Sequence, residues 1–276
     1  MVTGGYAGAP AGMVAILLGI PLALQEQNAV PGLTTRLLAR GAREIHVAYP
    51  EVAAHLPAGA RDRVRVSGNP VRPPEPRGGD TARGALGLDP SRPTVLVVGG
   101  SQGSVALNRA VLEMVGALRE APGFQLLWST GPRHEPGIRQ ALGDAPPTWV
   151  HVTGFIDDIP AALEAADLAV SRAGAMATSE FLAWGLPAIL VPLPSAAAGH
   201  QARNARALEE AGCALHLPEA ELTGGVLLER VRELMDDPDR RRAMARRALE
   251  RGRPHAARDM ARSLAGLLGS GREARS

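Results

Sequence analysis

The stretch Thr94-Val-Leu-Val-Val-Gly-Gly-Ser-Gln-Gly-Ser-Val-Ala-Leu-Asn108 joins a strand, a tight turn and a helix without a spacer. Residues 95–98 are an unbroken apolar run rich in valine, the pattern of a strand buried on both faces. Two glycines, Ser101 and a third glycine follow, and residues 105–118 then place apolar side chains at helical spacing. A helix that starts behind such a turn presents unpaired N–H groups and the positive end of its dipole, and a phosphate suits that position. Gly-Gly-Ser-Gln-Gly is neither a G-x-G-x-x-G fingerprint nor a P-loop. The same turn also fits a plain connection in which glycine lets helix and strand pack closely, so the rest of the chain has to discriminate.

The 276 residues are 45% hydrophobic, enough for one large or two ordinary domains with a buried core. All 30 basic residues are arginine, a compositional bias rather than a functional mark, and the formal net charge is only +2. With 3% aromatic residues the chain has little with which to stack bases, and no nucleic-acid partner is expected. The single cysteine, Cys213, sits in an apolar strand-like run, reads as a small core residue and excludes an internal disulfide framework, which fits a reducing cytosol. No basic segment precedes an apolar core at the start, so no export signal is read. The longest apolar stretch, residues 11–24, is interrupted by glycine and proline and too short to span a bilayer.

In chain order, residues 3–10 read as a glycine-rich loop and 11–18 as a helix; a strand belongs before that loop, and only Met1 and Val2 are available for it. Strands are expected at 21–24, 44–47 and 64–66, with a helix at 30–38 and a helical patch at 52–56. Residues 73–80 carry three prolines and two glycines, the composition of a linker. Beyond it the alternation restarts, with further strands at 125–128, 149–152, 168–170, 188–191 and 213–217 and helices at 159–166, 177–184, 201–211 and from 226 onward. Apolar strands alternating with helices define an α/β chain of two Rossmann-like, doubly wound domains, the first incomplete. The expected division is 1–72, a linker at 73–80, a second domain at 81–253, and a C-terminal helix and tail at 254–276. Arg240, Arg241, Arg242, Arg246, Arg247, Arg251 and Arg253 cluster near the end, as a solvated helix face or as a contact with an anionic membrane surface.

Ser171-Arg-Ala-Gly-Ala-Met-Ala-Thr-Ser-Glu180 follows the strand at 168–170, turns at Gly174 and enters a helix through small residues that let a ligand approach the backbone. Glu180 falls in the first turns of that helix, where a carboxylate can accept both hydroxyls of a ribose, lie exposed, or cap. Gly199-His-Gln-Ala-Arg-Asn204 puts His200, Gln201 and Asn204 at the mouth of the next helix, where amides suit sugar hydroxyls or helix capping. Seven motifs stand in register: Gly4-Gly-Tyr-x-Gly-x-Pro10, Glu26-Gln-Asn28, Gly68-Asn-Pro-Val-Arg72, Gly99-Gly-Ser-Gln-Gly103, Phe155-Ile-Asp-Asp158, Arg172-x-Gly-Ala-x-x-x-Ser-Glu180 and His200-Gln-x-x-Asn-Ala205. Together they make residues 3–268 resemble the MurG family of glycosyltransferases.

That resemblance implies the GT-B fold, two Rossmann-like domains facing a cleft. It implies transfer of N-acetylglucosamine from UDP-N-acetylglucosamine to the 4-hydroxyl of undecaprenyl-diphospho-N-acetylmuramoyl-pentapeptide, the lipid I to lipid II step of peptidoglycan synthesis. The enzyme would be peripheral, at the cytoplasmic face of the cell membrane. By the match, Ser101 and its flanking amides would hold the diphosphate, and Ile156 would meet uracil through its backbone. Ala175, Met176, Ala177, Thr178 and Ser179 would line the nucleoside, with Glu180 on the ribose, and Gln201 would hold the N-acetylglucosamine. Asn28 and Arg72 would reach the donor from the first domain, while Tyr6 and Glu26 would face the acceptor or the reacting centre. No metal or other cofactor is implied, because backbone amides and helix dipoles can stabilise a leaving diphosphate. Two departures from the family stand out. Gln25 replaces the family's histidine, removing any acid–base role there. The earlier glycine-rich loop whose histidine is the family's candidate general base is not in this sequence, and losing a general base typically costs about 10²–10⁴-fold in rate. The alternatives are therefore a chain that binds UDP-sugar with weak or no transfer, and transfer to another lipid acceptor.

Overall fold

The computed structural model describes residues 1–118, 120 and 122–273, and the side chains among them except those of 268–273. The chain forms two compact units, one of Met1–Pro73 together with the segment from Arg253 onward, the other of Pro74–Gly252.

In the first unit the order is α1 (Gly8–Leu17), β1 (Ala23–Glu26), α2 (Leu33–Leu38), β2 (Glu44–Val47), two 3-10 turns (Pro50–His55 and Ala58–Arg63) and β3 (Val64–Val66). The strands make a parallel sheet in sequence order, with Ala23 beside Glu44 and Ile45 beside Val64. On the open side of β1, Val2 pairs in parallel with Leu24, donating to the Ala23 carbonyl at 2.9 Å and accepting from the Gln25 amide at 2.9 Å. Val2 thus makes a single isolated bridge beside β1 rather than a strand.

β1 runs two residues further than the hydrophobic pattern indicates, because the buried polar side chains at its end have internal partners. Gln25 Nε2 donates to Asn69 Oδ1 at 2.8 Å, and the Glu26 carboxylate accepts from the Gly32 amide at 3.0 Å and Thr35 Oγ1 at 2.8 Å. α2 starts three residues later than expected, after Pro31 and Gly32.

The second unit continues with α3 (Gly79–Ala85), β4 (Thr94–Val98), α4 (Val105–Ala117), β5 (Gln125–Ser129), α5 (Glu135–Leu142), β6 (Val150–Thr153), α6 (Ile159–Ala165) and β7 (Leu168–Ser171). It closes with α7 (Ala175–Trp184), β8 (Ala188–Leu190), α8 (His200–Glu210), β9 (Ala214–His216), α9 (Gly224–Met235) and α10 (Pro238–Arg251). Six parallel strands run in the order β6-β5-β4-β7-β8-β9. Chain direction across the sheet reverses between β4 and β7, which makes the C-terminal ends of those two strands the topological switch point. Their register sets Val98 beside Ser171, whose Oγ donates to the Val98 carbonyl at 2.8 Å.

Trp128, Leu107, Met114, Leu126, Leu168 and Ile189 form the centre of the core, each almost fully buried; side chains of this size contribute about 1.5–3 kcal/mol each on burial. Trp128 Nε1 donates to Asn108 Oδ1 at 3.0 Å and Asn108 Nδ2 to the Thr130 carbonyl at 2.8 Å, so α4 is fixed to β5 by a satisfied polar pair inside apolar surroundings. Cys213 is buried in the same unit.

Two helices lie outside the sequence expectation. α3 forms within and beyond the proline- and glycine-rich linker stretch, held by Arg83, which donates to the Ala165 carbonyl at 3.0 Å and to Asp167 Oδ2 at 2.8 Å. α5 carries Pro136 and Gly137 in its first turn, residues that hide a helix from propensity arguments.

α11 (Ala256–Glu273), the helix of the expected C-terminal segment, groups with the first unit. Ser263 Oγ donates to Glu44 Oε2 at 2.5 Å; the same oxygen lies 3.2 Å from His46 Nε2, and His46 Nδ1 is 2.8 Å from Ser67 Oγ. Residues 274–276 of the expected tail lie outside the described residues.

Three members of the arginine cluster are engaged locally. Arg240 pairs with Glu233 at 2.5 Å, Arg241 Nη1 donates to the Leu234 and Met235 carbonyls at 2.7 and 2.5 Å, and Arg242 pairs with Asp239.

Candidate active site

The loop after β4 is shaped by close backbone approach. Gly103 has a φ of +75°, and a Cβ there would stand 1.9 Å from the Thr130 carbonyl oxygen; a Cβ on Gly131 would stand 2.4 Å from the Gln102 carbonyl oxygen. Glycine is therefore required on both sides for the two loops to lie against each other. Arg133 Nη2 donates to Gln102 Oε1 at 2.9 Å and fastens the same junction.

The helix that follows is capped by Ser104, whose Oγ accepts from the Leu107 amide at 3.3 Å. The Val105 and Ala106 N–H groups have no hydrogen-bond partner among the described residues, so α4 opens onto the cleft with free donors and its dipole.

In front of this helix lies a cleft of about 770 Å³, lined by Val98, Gly99, Gly100, Gly103, Ser104 and Arg109 on one side and by Arg172, Gly174, Ala177, Leu193, Gln201 and Glu219 on the other. Ser101 is at the exposed surface of the loop, and the serines that line the cleft are Ser104 and Ser171.

Ala177 lines the cleft and Glu180 sits one turn along the same helix, on the same side. The Glu180 carboxylate is half-buried, has no hydrogen bond or ion pair among the described residues, and is held above the usual glutamate range by burial. A ligand that brings hydroxyl donors would relieve that cost.

Gln201 Oε1 accepts from the Leu193 amide at 2.9 Å, which fixes the side chain and leaves its Nε2 donor for the cleft. Asn204, by contrast, is fully buried, and its Nδ2 donates to the Ala173 carbonyl at 3.2 Å, tying α8 to the turn before α7.

Thr178 and Ser179 are buried, and their hydroxyls donate back to the carbonyls of Gly174 and Ala175, so the face they present inward is structural. Ala175 is half-buried, Met176 exposed, and Ile156 buried in the connection between β6 and α6.

The remaining expected positions lie in the first unit. Tyr6 is exposed, Arg72 is exposed and Asn28 half-buried. Glu26 Oε1 accepts from the Asn28 backbone at 3.2 Å while Oε2 holds Gly32 and Thr35, so this carboxylate organises the loop that carries Asn28.

Sequence reasoning missed the cleft's charged pair. Arg172 follows β7 directly; its Nη1 donates to the Val191 and Pro192 carbonyls at 3.2 and 3.3 Å and its Nη2 to Ser104 Oγ at 2.7 Å. Glu219 Oε2 lies 2.5 Å from Arg172 Nη2 but off the N–H direction, and that buried oxygen has no hydrogen-bond partner among the described residues. An arginine immediately after a buried strand is a signal that could have been used. Glu219 carries no local signal at all.

A doubly wound parallel sheet with an anion-suited helix start at its switch point defines, with its structural relatives, a glycosyltransferase of the GT-B type. The crystal structure of Acinetobacter baumannii MurG superposes with a TM-score of 0.76 at 29% identity, over 94% of this chain and 70% of that one. Residues 94–260 match the glycosyltransferase family 28 C-terminal domain and residues 1–47 its N-terminal domain. The chain is also similar to the UDP-N-acetylglucosamine--N-acetylmuramyl-(pentapeptide) pyrophosphoryl-undecaprenol N-acetylglucosamine transferases of two further bacteria. With that of Salinibacter ruber it shares 43% identity over 272 residues, 96% of this chain and 70% of the relative. With that of Chlorobium luteolum it shares 40% over 259 residues, 94% of this chain and 69% of the relative. The chain belongs to this MurG family of family 28 glycosyltransferases. Matches at these identities do not favour the reading of a UDP-sugar-binding chain without transfer.

Proposed function

We propose that the chain transfers N-acetylglucosamine from UDP-N-acetylglucosamine to undecaprenyl-diphospho-N-acetylmuramoyl-pentapeptide, converting lipid I to lipid II. The observation that carries this reading is the 43% identity, over 96% of the chain, with a transferase named for that activity. The cleft of the second unit supports it chemically.

In this reading the diphosphate rests on the Gly99–Gly103 loop and the α4 N-terminus, with Ser101 at the loop surface and Ser104 and Arg172 behind it. Ile156 meets uracil through its backbone, Ala175–Ser179 back the nucleoside, the unpartnered Glu180 carboxylate accepts from the ribose, and Gln201 Nε2 donates to the N-acetylglucosamine. Asn28 and Arg72 complete the donor contacts and Tyr6 faces the acceptor, while Glu26 holds the Asn28 loop in shape. The acceptor 4-hydroxyl attacks the anomeric carbon as the bond to the UDP oxygen breaks, in a single inverting displacement; its proton passes to solvent water, because the loop that carries the family's candidate base is not in this sequence. The charge that develops on UDP is stabilised by the α4 dipole and amides.

The lipid acceptor places the chain peripherally at the cytoplasmic face of the membrane. Among the described residues no helix is long and apolar enough to cross a membrane. Leu33 and Leu37 of α2 are exposed beside Arg36 and Arg40, and Met13 and Leu17 of α1 and Leu18 just after it are exposed as well, features that support contact with an anionic lipid surface.

The test is incubation of the folded chain with radiolabelled UDP-N-acetylglucosamine and the undecaprenyl-linked acceptor in vesicles. Label should pass to the lipid fraction with release of an equal amount of UDP. Label that stays on the nucleotide sugar would refute the reading.

A further inference from the structure

Glu219 is a carboxylate on the wall of a cleft otherwise built to attract an anion, and its position there needs an explanation. It belongs to the 3-10 turn Glu219–Glu221 after β9 and lines the same cavity as the glycine loop and the α4 N-terminus. Its buried Oε2 has no hydrogen-bond partner among the described residues, so no directional hydrogen bond accounts for its placement. What faces it is the guanidinium of Arg172, 2.5 Å away, with a side chain only 11% exposed.

Arg172 cannot move freely, because Val191, Pro192 and Ser104 fix it from three directions. The result is a rigid cation beside the helix start whose charge is cancelled by a carboxylate. Opposite charges this close and this poorly hydrated neutralise each other's field at longer range. The anion-attracting potential of the cleft is then left mainly to amides and the helix dipole, with Arg109 at the exposed rim.

We propose that Glu219 is a positioning residue that tempers Arg172. It offsets the charge of a guanidinium already fixed by the Val191 and Pro192 carbonyls and Ser104, so that a nucleoside diphosphate binds firmly enough to react yet leaves once the sugar is transferred. This rests on the donor-site reading above. Without the carboxylate, Arg172 stays pinned by the two carbonyls and Ser104 but presents a full, largely desolvated positive charge to the diphosphate.

The test compares the full chain with its Glu219→Gln variant by titration calorimetry against UDP and against uridine, followed by donor-dependent transfer kinetics. UDP should bind the variant about tenfold more tightly, with uridine unchanged, and KM for the donor and kcat should fall together as UDP release slows. A purely structural role for Glu219 would weaken UDP binding or weaken both ligands. UDP affinity that is unchanged or reduced overturns the inference while leaving the donor site standing. Absence of UDP binding by the unsubstituted chain overturns both. Glu219→Asp, which keeps the charge but withdraws it from Arg172, should shift UDP affinity in the same direction by less; if the glutamine variant does not fold, unchanged or reduced UDP affinity in the aspartate variant overturns the inference in its place.

Discussion

At Glu180 burial sets a cost that the proposed donor site would relieve. Burial holds its carboxyl above the ordinary glutamate range, and no protein group compensates. The folded chain therefore keeps a proton at pH values where the unfolded chain has released it, and stability falls as pH rises through that window. Glu180→Gln should raise the melting temperature of the ligand-free chain at neutral pH, and the gain should vanish below the ordinary glutamate range. Thermal melts at pH 7 and pH 3.5 check this; equal gains at both would contradict it. Glu180→Ala should weaken UDP binding by about 1–3 kcal/mol, because ribose hydroxyls lose a buried acceptor. Calorimetry with unchanged affinity would remove Glu180 from the site. The residue was legible in the sequence through its place one turn into a helix after a buried strand. Arg172 stood in the same motif, but its partner Glu219 is separated from it by α7, β8, α8 and β9, so the pair exists only once the sheet is assembled.

At the scale of elements, the β4 loop and α4 were the most readable part of the chain, since strand, turn and helix are local features with local periodicities. The reason for its third glycine was not readable. Gly103 is needed because the backbone of the β5–α5 connection lies against it, a contact across elements. Gly103→Ala would force a left-handed alanine, costing about 1–2 kcal/mol, and would set its methyl group into the Thr130 carbonyl. We expect a folded protein with a lowered melting temperature and UDP affinity reduced by more than about tenfold, since a displaced loop misaims the α4 amides. Unimpaired UDP binding by Gly103→Ala would show that the loop tolerates the shift. β1 and α3 make the converse point: their polar or helix-breaking residues argue against regular structure, and partners distant in sequence, Asn69 for Gln25 and Asp167 for Arg83, decide for it.

For the whole molecule, histidines placed where water is scarce contribute to the response to acid. Burial lowers the affinity of His46, His151 and His216 for protons, and for His46 it outweighs the opposing pull of Glu44. The unfolded chain takes up protons near the ordinary histidine value while the folded sites resist, so stability falls as pH drops through that value toward the lowered ones. Melting temperatures should decline between pH 7.5 and pH 5.5, and His46→Gln should flatten part of the decline; parallel curves for the two proteins would exclude His46 as a contributor.

The sequence by itself determined the parallel α/β architecture, the position of the phosphate-suited turn, the family and the stretch that carries Glu180 and Gln201. The architecture and the turn depend on periodicity or spacing within one or two neighbouring elements, and the family on the resemblance carried by seven short motifs in register; such signals survive in a linear reading. Tertiary structure alone decided that Ser104 lines the cleft, that Thr178, Ser179 and Asn204 spend their polar groups on the backbone, and that Glu26 is occupied by its own loop. It also decided that α11 returns to the first unit and that Glu219 meets Arg172. Those outcomes depend on which polar atoms find partners once distant segments are packed, a competition among long-range contacts that leaves no periodic trace along the chain.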